Sequence, residues 1–262
     1  MSTTFPQQAV QTLLLALADD ELMLGHRDAE WTGHAPVLEE DIAFSNIAQD
    51  ELGHSLLWYT LQQQLGGDDP DTMAFARDWQ QFTCCRFVTY PKGDFAYTVV
   101  RQYLFDEAEQ VRLRAFAHST YLPIKEASAK ILREEAYHIL HSKSLIERLG
   151  DATEESHRRM QAAVDAAFPQ ALGMFERLEG EEELVAAGVF PGNQELQAQW
   201  LRNVVPVLTG ATLSVPVKDP HGACIVQTPP DVGGRRKQHV EHLRQLVDDL
   251  QSVYRIAPGA HW

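Results

Sequence analysis

The sequence has few cysteines and few basic residues, and each shortage excludes a class of protein. Its three cysteines, Cys84, Cys85 and Cys224, are an odd number without metal-site spacing. That arrangement argues against a disulfide framework, so we expect reduced, structural thiols. Only 22 basic residues oppose 37 acidic ones, which gives a net charge of -15. Nucleic acid and anionic membranes both require a positive surface, so neither is an expected partner.

Long apolar runs are also absent. No run reaches the length of a transmembrane helix, and the start, MSTTFPQQAV, has neither the basic nor the apolar region of a secretory signal. We therefore expect a cytoplasmic protein. A length of 262 residues, 44% of them hydrophobic, is enough for one large domain over residues 1–262. We expect a core bundle over about 7–150 and a helical C-terminal extension over about 151–262.

Apolar periodicity predicts four long helices, separated by a crossover and followed by further helices. The long helices are expected at 7–33, from just after Pro36 to Gly66, at 95–118 and at 122–149. A crossover over 68–93 carries a short helix at 72–80. Three later helices are expected at 153–177, 194–208 and 235–255, with an irregular passage at 209–234. This order predicts an all-α, ferritin-like four-helix bundle with additional C-terminal helices.

Two of the long helices contain a Glu-x-x-His tetrapeptide. Glu51 and His54 lie on the second helix, and Glu135 and His138 lie on the fourth. Residues three apart share a helix face, so each tetrapeptide presents a carboxylate and an imidazole together. A single such tetrapeptide is usually an exposed polar pair. Two of them on separate helices are typical of di-iron carboxylate bundles.

The other two long helices supply the carboxylates that such a centre also needs. Glu21 interrupts the apolar stripe of the first helix, 30 residues before Glu51 (51 − 21). Asp106 lies on the inner face of the third helix, 29 residues before Glu135 (135 − 106). Periodicity alone leaves Asp106 and its neighbour Glu107 both eligible. We therefore expect the ligands to converge on one point in the bundle.

Burying several carboxylates in an apolar bundle is unfavourable unless a cation pairs with them or they become protonated. Two iron ions would remove this conflict, and the oxygen-rich donor set suits iron, or less well manganese, better than zinc. Asp50 and Glu134 precede the two tetrapeptides and are expected to accept the free N–H of the opposing histidine. The alternative is a metal-free bundle with a polar core.

A short basic run, Arg235-Arg236-Lys237, begins the last predicted helix. A solvated helix face is the expected role of such a run. Contact with an acyl-CoA phosphate or with a partner protein is the alternative.

Several segments resemble the C subunit (PaaC) family of the bacterial phenylacetyl-CoA 1,2-epoxidase complex. They are EWTGHAPVLEEDIA at 30–43, Arg101-Gln102-Tyr103, 135–138, Glu147 to Gly150, Gly233-Gly234-Arg235, and the closing Pro258-Gly259 with Trp262. The resemblance implies a ferritin-like subunit that pairs with a homologous catalytic A subunit, which holds the di-iron centre. With B and reductase subunits, such a complex uses O₂ and reductant to epoxidise the aromatic ring of phenylacetyl-CoA.

The chain departs from that family at its ligand positions. The C subunit is usually structural and has lost most iron ligands, whereas this chain has the complete set: Glu21, Glu51, His54, Asp106, Glu135 and His138. The resemblance also favours Asp106 over Glu107. We therefore predict an epoxidase subunit with a di-iron site of its own, acting as an enzyme within the complex and forming homo-oligomers when alone. The alternatives are an independent di-iron oxygenase or oxidase, and a metal-free structural partner of the A subunit.

Overall fold

The computed structural model describes residues 5–218 and 224–258, and their contacts divide them into two compact units. The N-terminal unit consists of residues 7–91 and 233–258. The central unit consists of residues 5–6, 92–218 and 224–232. The single domain expected over residues 1–262 stays a prediction.

Helices account for most of both units. Within the described residues the α-helices are α1 (Gln7–Ala29), α2 (Leu38–Gln64), α3 (Pro70–Phe75), α4 (Phe95–Phe116), α5 (Leu122–Gly150), α6 (Glu154–Ala171), α7 (Glu181–Ala186), α8 (Asn193–Gly210), α9 (Glu241–Leu250) and α10 (Ser252–Ile256). Strands β1 (Val217–Lys218) and β2 (Ile225–Val226) pair antiparallel, with Val217 opposite Val226. Single 3₁₀ turns occur at Trp79–Gln81, Phe87–Thr89, Leu172–Phe175 and Gly234–Arg236. The predicted all-α, ferritin-like fold class is confirmed.

In the N-terminal unit, α1 and α2 form an antiparallel hairpin. Gln11 near the start of α1 donates to the carbonyl of Leu65 at 3.0 Å, just beyond the end of α2. Further along, the Ser55 hydroxyl donates to the carbonyl of Ala18 at 2.9 Å. Three acidic residues in the first turn of α2 stabilise this helix, because its N-terminus is the positive end of the helix dipole. Most of α1 between residues 13 and 25 is buried.

In the central unit, α4 packs against α5, α6 and α8. Asp94 caps α4 by accepting a hydrogen bond from the backbone N–H of Tyr97 at 3.0 Å. The indole N–H of Trp200 on α8 donates to the carbonyl of Leu104 at 2.9 Å and fixes α8 against α4. The short connection over 117–121 leads directly into α5.

The predicted boundaries are accurate to within two residues for α2, α4, α5 and α8 and less so elsewhere. Helix α1 ends at Ala29 rather than at Gly33, because residues 30–34 form tight turns and Gly33 has a positive φ of 77°. The crossover helix is α3 followed by a separate 3₁₀ turn. The sequence did not predict α7 or the two strands.

The continuous last helix expected over 235–255 is wrong. Only a 3₁₀ turn covers Gly234–Arg236, Lys237 has a φ of 59°, and α9 begins at Glu241. A left-handed residue cannot continue an α-helix, so the helix is broken there. No helix among the described residues has the length and apolar character needed to span a membrane. Gly259 and Trp262, which belong to the resemblance above, lie outside the described residues.

Candidate metal centre

Three of the six expected ligands converge within the N-terminal unit. Glu21 on α1 and Glu51 and His54 on α2 are all at most 2% exposed. One donor atom of each residue lies within 4.8 Å of the donor atoms of the other two. Two carboxylates and an imidazole in such a group can hold a metal ion from three directions.

A glycine brings the two helices close together beside these ligands. Gly25 lies one turn after Glu21, and a Cβ built on it would be 3.0 Å from the Cβ of Glu51 and 3.1 Å from the carbonyl oxygen of Ala48. A side chain at position 25 would therefore press on the turn of α2 that carries Glu51. Glycine here is a packing requirement of the site.

Two further acidic residues of α1 precede Glu21 and bind arginines. Asp19 accepts hydrogen bonds from the Tyr59 hydroxyl and the Thr83 backbone N–H, both at 2.6 Å, and pairs with Arg77. Asp20 accepts a hydrogen bond at 2.9 Å from the guanidinium of Arg235. These pairs neutralise both buried aspartates.

The second set of expected ligands lies in the central unit. Asp106 on α4 and Glu135 and His138 on α5 are all at most 1% exposed. The imidazole Nδ1 of His138 is 3.0 Å from Glu135 Oε1. Asp106 accepts hydrogen bonds at 2.7 Å from the Gln102 amide at Oδ1 and from the Ser142 hydroxyl at Oδ2.

Burial raises the pKa of Asp106 well above its ordinary value, and the nearby carboxylate of Glu135 raises this pKa further. His138, Ser142 and Gln102 oppose the rise because they stabilise the charged form. Without a cation, the pocket therefore stabilises the neutral form of Asp106 more than water does. A metal ion would reverse this preference.

The structure also distinguishes Asp106 from Glu107. Asp106 contacts Ser142 on α5, the helix that carries the second Glu-x-x-His tetrapeptide. Glu107 instead accepts a hydrogen bond at 3.1 Å from the amide of Asn203 on α8. Burial raises the pKa of Glu107, and the Asn203 bond opposes the rise. Of the two neighbours, Asp106 is the one connected to the helix with the second pair of ligands.

All six expected ligands are thus buried, and those of the N-terminal unit lie together. That all six share one site stays a prediction. Asp50 and Glu134, expected to orient the histidines, are partly exposed, and their role also stays a prediction.

Sequence reasoning missed three residues around these clusters. Gln102 lies four residues before Asp106, and Ser142 lies four residues after His138, so helical spacing would have placed both beside the ligands. The third is Arg235, for which a solvated face was expected. That expectation is wrong, because its side chain is 4% exposed and pairs with Asp20. No local sequence pattern connects Arg235 with Asp20.

Comparisons with known proteins place the chain among related sequences. The family model described as "Phenylacetic acid catabolic protein" matches residues 2–262. The C subunit of the 1,2-phenylacetyl-CoA epoxidase of Escherichia coli (strain K12) is 33% identical over 249 residues, covering 95% of this chain and 97% of that protein. The A subunit of the same enzyme and organism is 26% identical over 200 residues, covering 74% of this chain and 64% of that protein. The resemblance noted from the sequence is confirmed.

Proposed function

The chain belongs to the phenylacetic acid catabolic protein family, and we propose that it is one component of a multicomponent oxygenase that epoxidises the aromatic ring of phenylacetyl-CoA. The similarity to the C subunit over nearly the full length of both chains supports this assignment. The similarity to the A subunit indicates that the two kinds of subunit share a common fold. The proposed location is the cytoplasm, where acyl-CoA substrates occur.

We further propose that this subunit has a di-iron centre of its own. Its ligands would be Glu21, Glu51, His54, Asp106, Glu135 and His138. The observation that supports the proposal best is the group of Glu21, Glu51 and His54, three buried donors within 4.8 Å of one another. A metal ion among these donors would offset the cost of burying the carboxylates, which is several kcal/mol each in an apolar core.

The donor set fits iron. Four carboxylates and two imidazoles provide the hard oxygen and borderline nitrogen ligands that iron and manganese prefer, without the thiolates typical of structural zinc. When bound, a di-iron centre supplies electrons for the reduction of O₂. The chain's own contribution is to position the six donor side chains and to exclude water, and the burial of all six side chains suits the exclusion of water.

A metal-free structural subunit is the second candidate, and one observation favours it. Both oxygens of Asp106 already accept hydrogen bonds from neutral donors, as a polar core without metal would require. In that case only the A subunit would carry the reactive centre.

The partner surface that we propose is an apolar stripe on α2. It consists of Leu38, Ile42, Leu52 and Leu56, which are between 39% and 71% exposed, and we call it the α2 apolar face. On α5, Leu122 and Leu140 are also exposed, each 84 residues after its counterpart on α2 (122 − 38 and 140 − 56). Exposed leucines at equivalent positions of two helices are typical of an interaction surface, because apolar side chains are unfavourable in contact with water. We propose that the α2 apolar face is covered by the A subunit in the complex, and by a second copy when the chain is alone.

Metal content and thermal stability test the proposed centre. Purified under anaerobic conditions with Fe²⁺, the chain should contain about two iron ions per molecule. Fe²⁺ or Mn²⁺ should raise the melting temperature, because metal binds the folded state. His54→Ala and His138→Ala should each abolish most of the rise, whereas His118→Ala, at an exposed position, should leave it unchanged. A rise that persists in both ligand variants would exclude these histidines from the centre.

Reconstitution tests the wider assignment. With A, B and reductase subunits, the chain should support epoxidation of phenylacetyl-CoA, and alone it should not. Activity that is retained by His54→Ala in the full complex, together with an iron-free wild-type chain, would favour the metal-free structural subunit. Turnover of an acyl substrate by the chain alone would favour the independent oxygenase.

A further inference from the structure

The α2 apolar face has an exposed glycine, Gly53, in the middle of the helix. A glycine at such a position costs about 1 kcal/mol relative to alanine. Apart from its neighbours in α2, nothing in the described part of the chain lies within 4 Å of a Cβ built on Gly53, so packing within the chain does not require it. Leu52 and Leu56 lie beside it and are 39% and 54% exposed. Gly53 therefore forms a notch between two exposed leucines, which we call the Gly53 notch.

The equivalent position on α5 has a large aromatic side chain. The two Glu-x-x-His tetrapeptides are 84 residues apart (135 − 51), so position 137 on α5 corresponds to position 53 on α2 (137 − 53). Tyr137 is 48% exposed, and its ring stacks on that of His141 with centroids 6.0 Å apart. An aromatic ring restrained in this way loses little freedom on binding, which suits an interface anchor. Leu122 and Leu140 are exposed on the same side of the helix, and we call these two leucines and Tyr137 the α5 tyrosine face.

The charges of the two helices are complementary. Helix α2 has five acidic residues and no lysine or arginine. Helix α5 has five basic and four acidic residues, a net charge of +1 (5 − 4) in a chain whose net charge is -15. Lys125, Lys130 and Arg133 are exposed on or beside the α5 tyrosine face. An acidic helix repels its own copy and attracts a more basic one, so α2 of one molecule fits α5 of another better than it fits a second α2.

We propose that two copies of this chain associate by packing the α5 tyrosine face of one copy onto the α2 apolar face of the other, with Tyr137 inserted into the Gly53 notch. Burial of the exposed leucines and of the tyrosine ring drives the association, and the charges of the two helices select the pairing of α5 with α2. The inference rests on the α2 apolar face proposed above as the partner surface. It adds the surface that covers this face and the contact at its centre.

Sedimentation equilibrium of the pure chain measures this self-association. Tyr137→Ala should raise the dissociation constant of the homodimer by about tenfold or more, as the loss of a central aromatic anchor does. Gly53→Leu should raise it by about as much, because the leucine side chain fills the notch. Both positions are exposed, so the two variants should keep the helix content of the wild-type chain in circular dichroism.

The double variant, Gly53→Leu with Tyr137→Ala, tests whether the two positions meet. If the tyrosine enters the notch, the leucine at position 53 can pack against the small alanine of the other copy. The double variant should then associate about fivefold or more tightly than the product of the two single effects predicts. Single effects that simply multiply would mean that the two positions lie apart, which would overturn the proposed contact.

Arg133→Glu tests the pairing of charges. Arg133 lies one helical turn before Tyr137, and reversing its charge should weaken self-association by about tenfold at low salt. The difference from the wild-type chain should shrink as salt is added, because ions screen exposed charges. Lys218→Glu is the matched control, since it changes the net charge by the same amount at an exposed position on β1 and should leave the dissociation constant nearly unchanged. Equal effects of the two substitutions would mean that overall charge, and not α5, governs association.

A wild-type chain that stays monomeric up to about 100 μM would overturn the inference, and so would a homodimer that is unaffected by Tyr137→Ala. Neither result bears on the proposed epoxidase role, which binding of the A subunit and reconstitution test separately. A reconstituted mixture without epoxidation, together with a homodimer that responds to the variants as expected, would refute the proposed function and support this inference.

Discussion

At the scale of single residues, Gly25 controls how closely α1 and α2 approach beside Glu21, Glu51 and His54. A Cβ at this position would be 3.0 Å from the Cβ of Glu51 and 3.1 Å from the backbone oxygen of Ala48. The helix backbone can move only slightly to relieve such a contact. We expect Gly25→Ala to destabilise the fold by about 1–3 kcal/mol through overpacking. Because the strain falls on the turn that carries Glu51, metal affinity should fall as well. Denaturant unfolding and metal titration measure the two effects.

Gly53 provides the control for this prediction. It lies between Glu51 and His54 in the same tetrapeptide, is exposed, and has nothing within 4 Å of a built Cβ. Gly53→Ala should therefore stabilise α2 by about 0.5–1 kcal/mol. Equal effects of the two substitutions would mean that helix propensity, and not packing, governs position 25.

Histidines of the N-terminal unit should make stability depend on pH. Burial lowers the pKa of His239 below its ordinary 6.5, and the hydrogen bond of its Nε2 to the Phe82 carbonyl opposes this. Burial lowers the pKa of His26 in the same way. Near these pKa values the unfolded chain binds more protons than the folded one. The stability that both residues contribute above pH 6.5 is therefore lost as the pH falls.

The expected result is a fall in the free energy of unfolding of the metal-free chain between about pH 7 and pH 5. His239→Gln should reduce the slope without abolishing it, because His26 remains. The effect should be small, since the ring of His239 is partly exposed. Urea unfolding at several pH values would reveal it, and a slope of opposite sign would contradict the pKa assignment.

At the scale of elements, residues 233–258 act as a clasp on the N-terminal unit. Gly234 packs so closely that a Cβ would lie 2.3 Å from the carbonyl oxygen of Cys84. Arg235 reaches Asp20 on α1, and Gln251 donates to the carbonyl of Arg77 at 2.7 Å. The clasp joins the end of the chain to its first helix and to the crossover.

Arg235→Leu should be strongly destabilising. It leaves the carboxylate of Asp20 buried without its cation, which costs about 3–5 kcal/mol. The double variant Asp20→Leu with Arg235→Leu should recover part of the loss, since no charge is then left buried. Arg236→Ala changes the exposed neighbour and should shift stability by less than about 0.5 kcal/mol. Similar losses of stability in Arg235→Leu and Arg236→Ala would show that the pair of Arg235 with Asp20 does not hold residues 233–258 against α1.

At the scale of the whole molecule, the chain should work in an assembly through the α2 apolar face. A stable interface with an A subunit should bury about 2,000 Å² or more. Leu56→Lys, at a 54% exposed position, should leave the fold intact and greatly weaken binding, because a charge would be desolvated there. Light scattering of the chain alone and mixed with the A subunit measures this.

Val185→Lys is the matched control, since Val185 is 45% exposed but lies on α7. It should affect neither self-association nor binding of the A subunit. If both lysine variants bind the A subunit like the wild-type chain, the interface lies elsewhere.

The sequence by itself determined the helical class, the bounds of α2, α4 and α5, and the six candidate ligands. These properties are local: apolar periodicity and the Glu-x-x-His spacing depend on residues within a few turns of one helix. The resemblance to a family of epoxidase subunits was also contained in short segments of sequence. Local reasoning was therefore sufficient to say which residue types lie on which helix face.

Only the tertiary structure decided which partners the buried polar groups find. Ser142 bonds to Asp106 across 36 positions of sequence, and Arg235 bonds to Asp20 across 215. The apolar periodicity of a single helix does not predict such contacts, because they depend on how separate helices pack. The same limit applies to the broken last helix, where Arg235, the first residue of the basic run, pairs with the buried Asp20 of α1.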